Sequence, residues 1–457
     1  MTGYWAEQAL LPDGPARDVL LTEADGRWSA IATGVPAEQA GDARRLPGVV
    51  LPGFANCHSH AFHRALRGRT HALGQAQGSG GSAQGSGGSQ DNFWTWRTAM
   101  YRIAERLDPD SYLALARATY AEMALSGITA VGEFHYLHHN RDGTPYADPN
   151  AFAEALRQAA VDAGVRLTLL DVCYLSGGLT ADGHQPVRDA QRRFSDGDSE
   201  QWAIRQAELA EDDNTRIGAA IHSVRAVPVE HFSIIDAAAG DRPLHVHLSE
   251  QPAENEACRA FYRVTPTTLL ADAGLLRERT TAVHATHLTA GDIAELGRSH
   301  STACICPTTE RDLADGIGPA RALADAGARL SLGTDQHAMI DFIEEIRGLE
   351  ADERLRSGRR GNFSPAELIT AATGHASIGW PDAGRLQVGM RADLVAIRTD
   401  TVRTVGSDAE QVIFAAAAAD VHTVVNGGRL IVDDHRHRLG DVGALLAEAI
   451  APLWRDA

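Results

Sequence analysis

The sequence predicts an α/β protein: a (β/α)8 TIM-like barrel with a small β-sandwich domain formed from both chain termini. Three observations predict it. Short apolar or β-branched runs alternate with amphipathic helical stretches eight times through the middle of the chain, the pattern of a parallel sheet with helical crossovers. Polar residues, above all histidines, gather at the C-terminal ends of those runs, where such a barrel does its chemistry. No GxGxxG follows the first run, which removes the usual dinucleotide reason for an open doubly wound sheet.

Taken in chain order, residues 1–50 read as β-rich and belong with residues 388–457, where GRLQVGMRADLVAI and VHTVVNGGRLIV have the same character. Asn426-Gly427 between two apolar runs is a hairpin signal. The expected barrel covers residues 51–387. Its strands read as VVLPGFANC, ITAVGEFH, VRLTLLD, IGAAIHS, PLHVHLS, TAVHATH, TACICPT and RLSLGTD. Helical patterns such as YLALARATYAEMALSG, AFAEALRQAAVDAG and DIAELGRSH lie between them. Residues 69–90 interrupt the pattern, with AQGSGGS twice in tandem at 76–82 and 83–89. Gly and Ser at that density cannot build a packed core, so a flexible surface loop is expected there.

Composition narrows the function classes. Against 60 acidic residues stand 42 basic ones, a net charge of −18, which argues against a nucleic-acid partner. All the basic residues are arginine. The absence of lysine removes Schiff-base, P-loop and carboxylated-lysine chemistry. The opening MTGYWAEQALLPDGPARD lacks a basic segment followed by an apolar one, and no apolar run approaches the ~20 residues of a membrane span. Five cysteines, an odd number, fit a reducing cytoplasm better than a disulfide framework. Cys304 and Cys306 read as strand packing.

The stretch FANCHSH places His58 and His60 one residue apart at the end of an apolar run. Alternate residues of a strand share a face, so the two rings point together. Two core histidines would each need a hydrogen-bond partner in a dry place; two ligands of one ion would not. Other expected strands end in similar groups: Glu133, His135 and Tyr136; His222 and Arg225; His245, His247 and Glu250; His284 and His287; Asp335 and His337. A single strand-end histidine is usually just solvated or hydrogen-bonded. Loading the same end of most strands is the signal. His58, His60, His247 and Asp335 would make a three-nitrogen, one-oxygen site for one divalent ion, zinc or alternatively ferrous iron. Asp335 could also take a proton from the ion's water. Without lysine, the bridged two-metal arrangement built on a carboxylated lysine is excluded.

The pieces PGFANCHSH, HVHLSE, VHATH and GTDQH, in that order, resemble the amidohydrolase superfamily over nearly the whole chain. Longer pieces are more specific. HSHAFHRALRG, NFWTWRTAMYRIAERL, GEFHYLHH, HSVRAV, HLSEQPAENEACRA and CPTTERDLADGI resemble the formimidoylglutamate deiminase family, whose members convert N-formimidoyl-L-glutamate to N-formyl-L-glutamate and ammonia. The resemblance implies His58, His60, His247 and Asp335 as metal ligands and Glu250 and His284 as the acid–base pair beside Asp335. It assigns substrate recognition to Arg97, Tyr136, His222 and Arg225. His63 stands where that family usually has glutamine. Neutral imidazole also offers a donor and an acceptor, so His63 is kept as a substrate contact. The implied partner is a small dicarboxylate, with no membrane and no nucleic acid, and the expected assembly is a homodimer. A dianion in so acidic a chain needs local cations, and arginine pairs carboxylates at two points. The alternative is another deaminase of the superfamily acting on a cyclic amidine such as a purine or pterin, whose ring NFWTW could stack. A metal-binding scaffold without catalysis is the remaining reading, and Glu250, His284 and Asp335 together weigh against it.

Overall fold

A computed structural model describes residues 2–71 and 92–455. From residue 72 onward the Gly/Ser-rich segment, with its expected loop, lies outside the described residues. All eight expected barrel strands are present: Phe54–Ser59, Ile128–His135, Arg166–Cys173, Thr215–Ser223, Leu244–Leu248, Thr280–His284, Thr302–Ile305 and Arg329–Leu332. They lie in sequence order in one sheet, each pair of neighbours parallel. A bridge from Ser59 to Asp335 joins the last strand to the first, with Asp335 N donating to His58 O at 3.0 Å and His60 N to Asp335 O at 3.1 Å. The residues that close the barrel are therefore neighbours of the residues proposed to do its chemistry. Every residue of the second and third strands is buried, as parallel strands covered on both faces require. The crossover helices begin where the sequence says they should. At Pro109–Leu125, for example, Asp108 and Ser111 cap each other's backbone and proline takes the first turn.

The two termini meet in a second sheet of eight strands. Thr2–Leu11, Gly14–Ala24, Arg27–Ala32 and Arg44–Pro52 come from the start of the chain, and Leu394–Ile397, Val421–Asn426, Arg429–Asp433 and Arg436–His437 from its end. The seam is the antiparallel pairing of Arg44–Pro52 with Leu394–Ile397. Among the described residues no helix is long and apolar enough to cross a membrane.

Two local expectations change. The run VVLPGFANC is two strands, the last of the terminal sheet's N-terminal half and the first of the barrel, divided at Gly53. A Cβ at Gly53 would come 2.5 Å from Thr129 Cγ2 and 3.1 Å from Asp393 Cβ, so the chain crosses between the sheets only without a side chain. Both strands are buried, which is why the apolar run shows no break. The hairpin also shifts by one residue. Asn426 is the last paired position, and Gly427 and Gly428, with φ of 55° and 75°, make the turn. Asn426 instead donates to Thr129 O at 2.9 Å and Gly164 O at 2.7 Å, docking the hairpin on the barrel beside the buried Arg166–Asp393 ion pair.

Candidate active site

Four groups from three strand ends converge at the barrel mouth. One ligand atom from each of His58, His60, His247 and Asp335 lies within 4.8 Å of all the others, and all four residues are buried. Asp335 Oδ1 is 3.2 Å from His58 Nε2 and 3.3 Å from His60 Nε2, and His58 Nε2 is 3.1 Å from His247 Nε2. His60 Nδ1 donates to Phe134 O at 2.9 Å, which leaves the Nε2 lone pair facing the centre. Burial holds His58 down to about 3 against the pull of Asp335, and holds His247 well below the usual imidazole range. Three imidazoles and one carboxylate brought this close together form a donor set suited to a cation. The set fits a single divalent ion of the zinc or ferrous type.

The acid–base candidates sit against this quartet. Glu250 Oε2 lies 3.0 Å from Arg225, while Oε1 faces His284 Nε2 at 3.9 Å. His284 Nε2 is also 4.0 Å from Asp335 Oδ2, and its Nδ1 is 3.5 Å from Glu310. Burial would lower His284, but Glu310, Glu250 and Asp335 outweigh it and raise the imidazole to about 10. The backbone is strained at these strand ends: Ser249, His284 and Asp335 hold φ of 51°, 69° and 40°. Non-glycine residues held there cost about 1–3 kcal/mol each, and such strain gathers at working sites.

A cavity of about 270 Å³ opens on His60, His247 and Asp335 of the quartet and includes Arg97, Tyr136, His222 and Arg225 in its wall. His63 is in the wall too, its Nε2 hydrogen-bonded to Tyr136 Oη at 2.9 Å, and burial keeps its imidazole neutral. Arg97 donates to Tyr101 Oη at 2.5 Å and stacks over the Trp94 and Tyr101 rings. Arg225 is shared: Nε is 3.0 Å from Glu254 Oε2, opposite its contact with Glu250. His222 is kept neutral by burial and by the two arginines.

Other residues singled out in the sequence turn elsewhere. His135 faces away from the quartet into a second buried group with His138 and Asp171, which Arg205 neutralises through both Asp171 oxygens at 2.9 and 3.0 Å. His245 Nε2 bonds Ser377 O at 3.0 Å, and His337 braces Thr334 and Ser59 at 3.0 and 3.3 Å. Glu133 accepts from Ser59 Oγ and Ala61 N, both at 2.6 Å, and so fixes the turn that follows His60 and carries His63. Glu310 and Glu254 were not singled out. Their partners, His284 and Arg225, lie 26 and 29 residues away in the chain and no local pattern links them.

Residues 49–431 match the amidohydrolase family, and residues 1–45 match the N-terminal domain of formimidoylglutamate deiminase HutF. The chain belongs to the amidohydrolase family. More narrowly, it is 37% identical over 454 residues to formimidoylglutamate deiminase of Pseudomonas aeruginosa, covering 96% of each chain. It is 29% identical to 8-oxoguanine deaminase of the same organism, covering 87% of this chain and 85% of that one. Among solved structures, an amidohydrolase from Brucella melitensis superposes with a TM-score of 0.87 at 33% identity, covering 99% of this chain and all of that one. A zinc-bound adenosine deaminase from Xanthomonas campestris has the same fold, with a TM-score of 0.82 at 23% identity over 100% and 98% of the two chains.

Proposed function

We propose that the chain is a deiminase that hydrolyses N-formimidoyl-L-glutamate to N-formyl-L-glutamate and ammonia, with one zinc ion held by His58, His60, His247 and Asp335. What supports this most is one cavity that joins three members of the four-ligand set, an acid–base pair and two arginines, in a chain 37% identical to a protein of that name.

When bound, the ion supplies a Lewis acid and lowers the pKa of its water to about 7. The protein's own groups place and move the protons. Asp335 gives Oδ1 to the ligand set and turns Oδ2 toward His284, so Oδ2 is the acceptor for the proton of the attacking water. His284 Nε2, between Asp335 and Glu250, is placed to hydrogen-bond the oxygen as it adds to the formimidoyl carbon. Glu250 has one oxygen tied to Arg225 and the other open toward His284, and the open one delivers protons to the departing nitrogen. Both hydrogens of the water end on that nitrogen: R–NH–CH=NH and H2O give R–NH–CHO and NH3. Arg97 and Arg225 provide positive charge for the two substrate carboxylates, with Tyr136, His222 and His63 completing the wall.

The same reading puts the enzyme in a reducing cytoplasm, where its five free, buried cysteines would stay thiols, and makes it a homodimer, which light scattering on the purified protein tests. The substrate is tested by ammonia release from N-formimidoyl-L-glutamate, 8-oxoguanine and adenosine in parallel. Release from the first alone is expected; release from a purine instead would establish the cyclic-amidine alternative.

A further inference from the structure

The group that His135 turns into has the make-up of a metal site of its own. His135 ends the second barrel strand, and Asp171 is its partner in register on the third. His138 follows in the loop that Tyr136 opens. All three are at most 2% exposed, and one ligand atom from each lies within 4.8 Å of the other two. The two imidazole rings stand 4.8 Å apart, nearly perpendicular. Arg205, beside them, is divided between two carboxylates: it gives two hydrogen bonds to Asp171 and two to Asp196. Asp196 has His139 Nε2 at 3.0 Å as well, so the less well matched carboxylate is Asp171, where His135 and His138 gather.

Hydrogen bonding fixes which atom of His138 faces the group. A carbonyl only accepts, so the 3.0 Å bond between His138 Nε2 and Val172 O puts the ring's hydrogen on Nε2. Burial holds His138 and His135 well below the usual imidazole range, so both rings are neutral. His138 Nδ1 is therefore a lone pair, and it lies 3.9 Å from Asp171 Oδ1. Two acceptors facing each other in a dry place are unfavourable unless a positive group joins them. Neither His138 Nδ1 nor His135 Nδ1 has a hydrogen-bond partner among the described residues. The same device orients His60 in the quartet, with one nitrogen tied to a strand carbonyl and the other turned inward. Zinc–nitrogen and zinc–oxygen bonds of about 2.0–2.2 Å place the ligand atoms of one ion up to about 4 Å apart, and the His138–Asp171 separation fits that span. Each carboxylate oxygen has two lone pairs, so Asp171 Oδ1 keeps one for an ion after bonding Arg205. The nearby guanidinium weakens the site, which therefore fills after the quartet.

We propose that His135, His138 and Asp171 hold a second divalent ion of the zinc, cobalt or nickel class, which braces the loop carrying Tyr136 and leaves the quartet's ion as the one that turnover requires. Two imidazoles select against calcium and magnesium, which take oxygen ligands. The test starts from the full chain carrying one equivalent of zinc and adds micromolar cobalt. Mass spectrometry should count two ions per chain in total, and the thermal midpoint should rise with cobalt, because an ion that binds only the folded state stabilises it. The cobalt X-ray absorption edge should show imidazole ligands. The double variant His135→Gln, His138→Gln should keep one ion per chain and lose both the second ion and the cobalt-dependent rise in midpoint. A wild type that never exceeds one ion per chain, or whose second ion has no imidazole neighbour, overturns the site. Both results are read on the wild type, so a double variant that fails to fold does not shield it. A second ion that persists in a folded double variant overturns it as well. Ion count and ligand type are independent of turnover, so the site stands or falls separately from the proposed reaction.

Discussion

Replacing Glu250 by glutamine removes the proton-delivering group while keeping its shape, and also removes one of the three carboxylates that raise His284. The glutamate's Oε2 is 3.0 Å from Arg225 and its Oε1 is 3.9 Å from His284. Glutamine keeps the shape and can accept from Arg225 through its amide oxygen. Arg225 also keeps Glu254 at 3.0 Å, so no buried cation is stranded. Glu250 is not one of the four ligands, so metal affinity should hold. What disappears is a group able to hold and release a proton. Such transfer contributes about 10²–10⁴ in rate, or about 2.7–5.5 kcal/mol of barrier. The expected result is a kcat lower by that factor, measured by coupled ammonia release, with metal content by mass spectrometry and thermal midpoint close to wild type. A variant with full metal and kcat within about threefold of wild type would refute the role given to Glu250.

Further predictions concern the groups that hold the site in place. Asp393→Asn strands Arg166 in the seam between barrel and terminal sheet and should cost about 3–5 kcal/mol in urea unfolding. Burial opposes ionisation of Asp393, but Arg166 and the Gly427 N–H hold its carboxyl below the ordinary range. Its stabilisation is therefore present above about pH 4 and is lost as pH falls through the lower folded value, an acid slope the asparagine variant should lack. Arg193→Met removes the donor to the carbonyls of Leu107 and His139, at about 1–3 kcal/mol each, and leaves Ala104 O only the 3.4 Å bond from Leu107 N. Because those bonds anchor the helix bearing Arg97, a higher KM should accompany the lower stability. His63→Gln should retain at least about a tenth of kcat/KM, because glutamine can also bond Tyr136, whereas His63→Ala should fall roughly tenfold or more. Equal activity in both His63 variants would remove that residue from the wall's function.

The barrel was legible because a buried strand and an amphipathic helix each leave a local pattern, and eight repeats leave little else to build. The ligand quartet was legible for a related reason: His58 and His60 share a strand face, and His247 and Asp335 end later strands. What stayed hidden depends on contacts the chain makes with itself at a distance. Gly53 divides one apolar run into strands of two sheets because Thr129 and Asp393 press on it from other elements. Asn426 looked like a turn residue, yet its side chain is spent on Thr129 and Gly164. Glu133 shows the limit most clearly, since one of its partners is the backbone N–H of Ala61 and no side-chain pattern records that. Arg225 was expected to clamp substrate, and its sharing between two buried glutamates could not be read from HSVRAV.

The most direct test of the whole account is ammonia release from N-formimidoyl-L-glutamate by one preparation, assayed as purified, after chelation, and after one equivalent of zinc is returned. The account predicts turnover, its loss with the metal, and its recovery at one ion per chain, with no recovery in His247→Ala. Undiminished turnover by metal-free protein, or a requirement for two ions per chain, would contradict it.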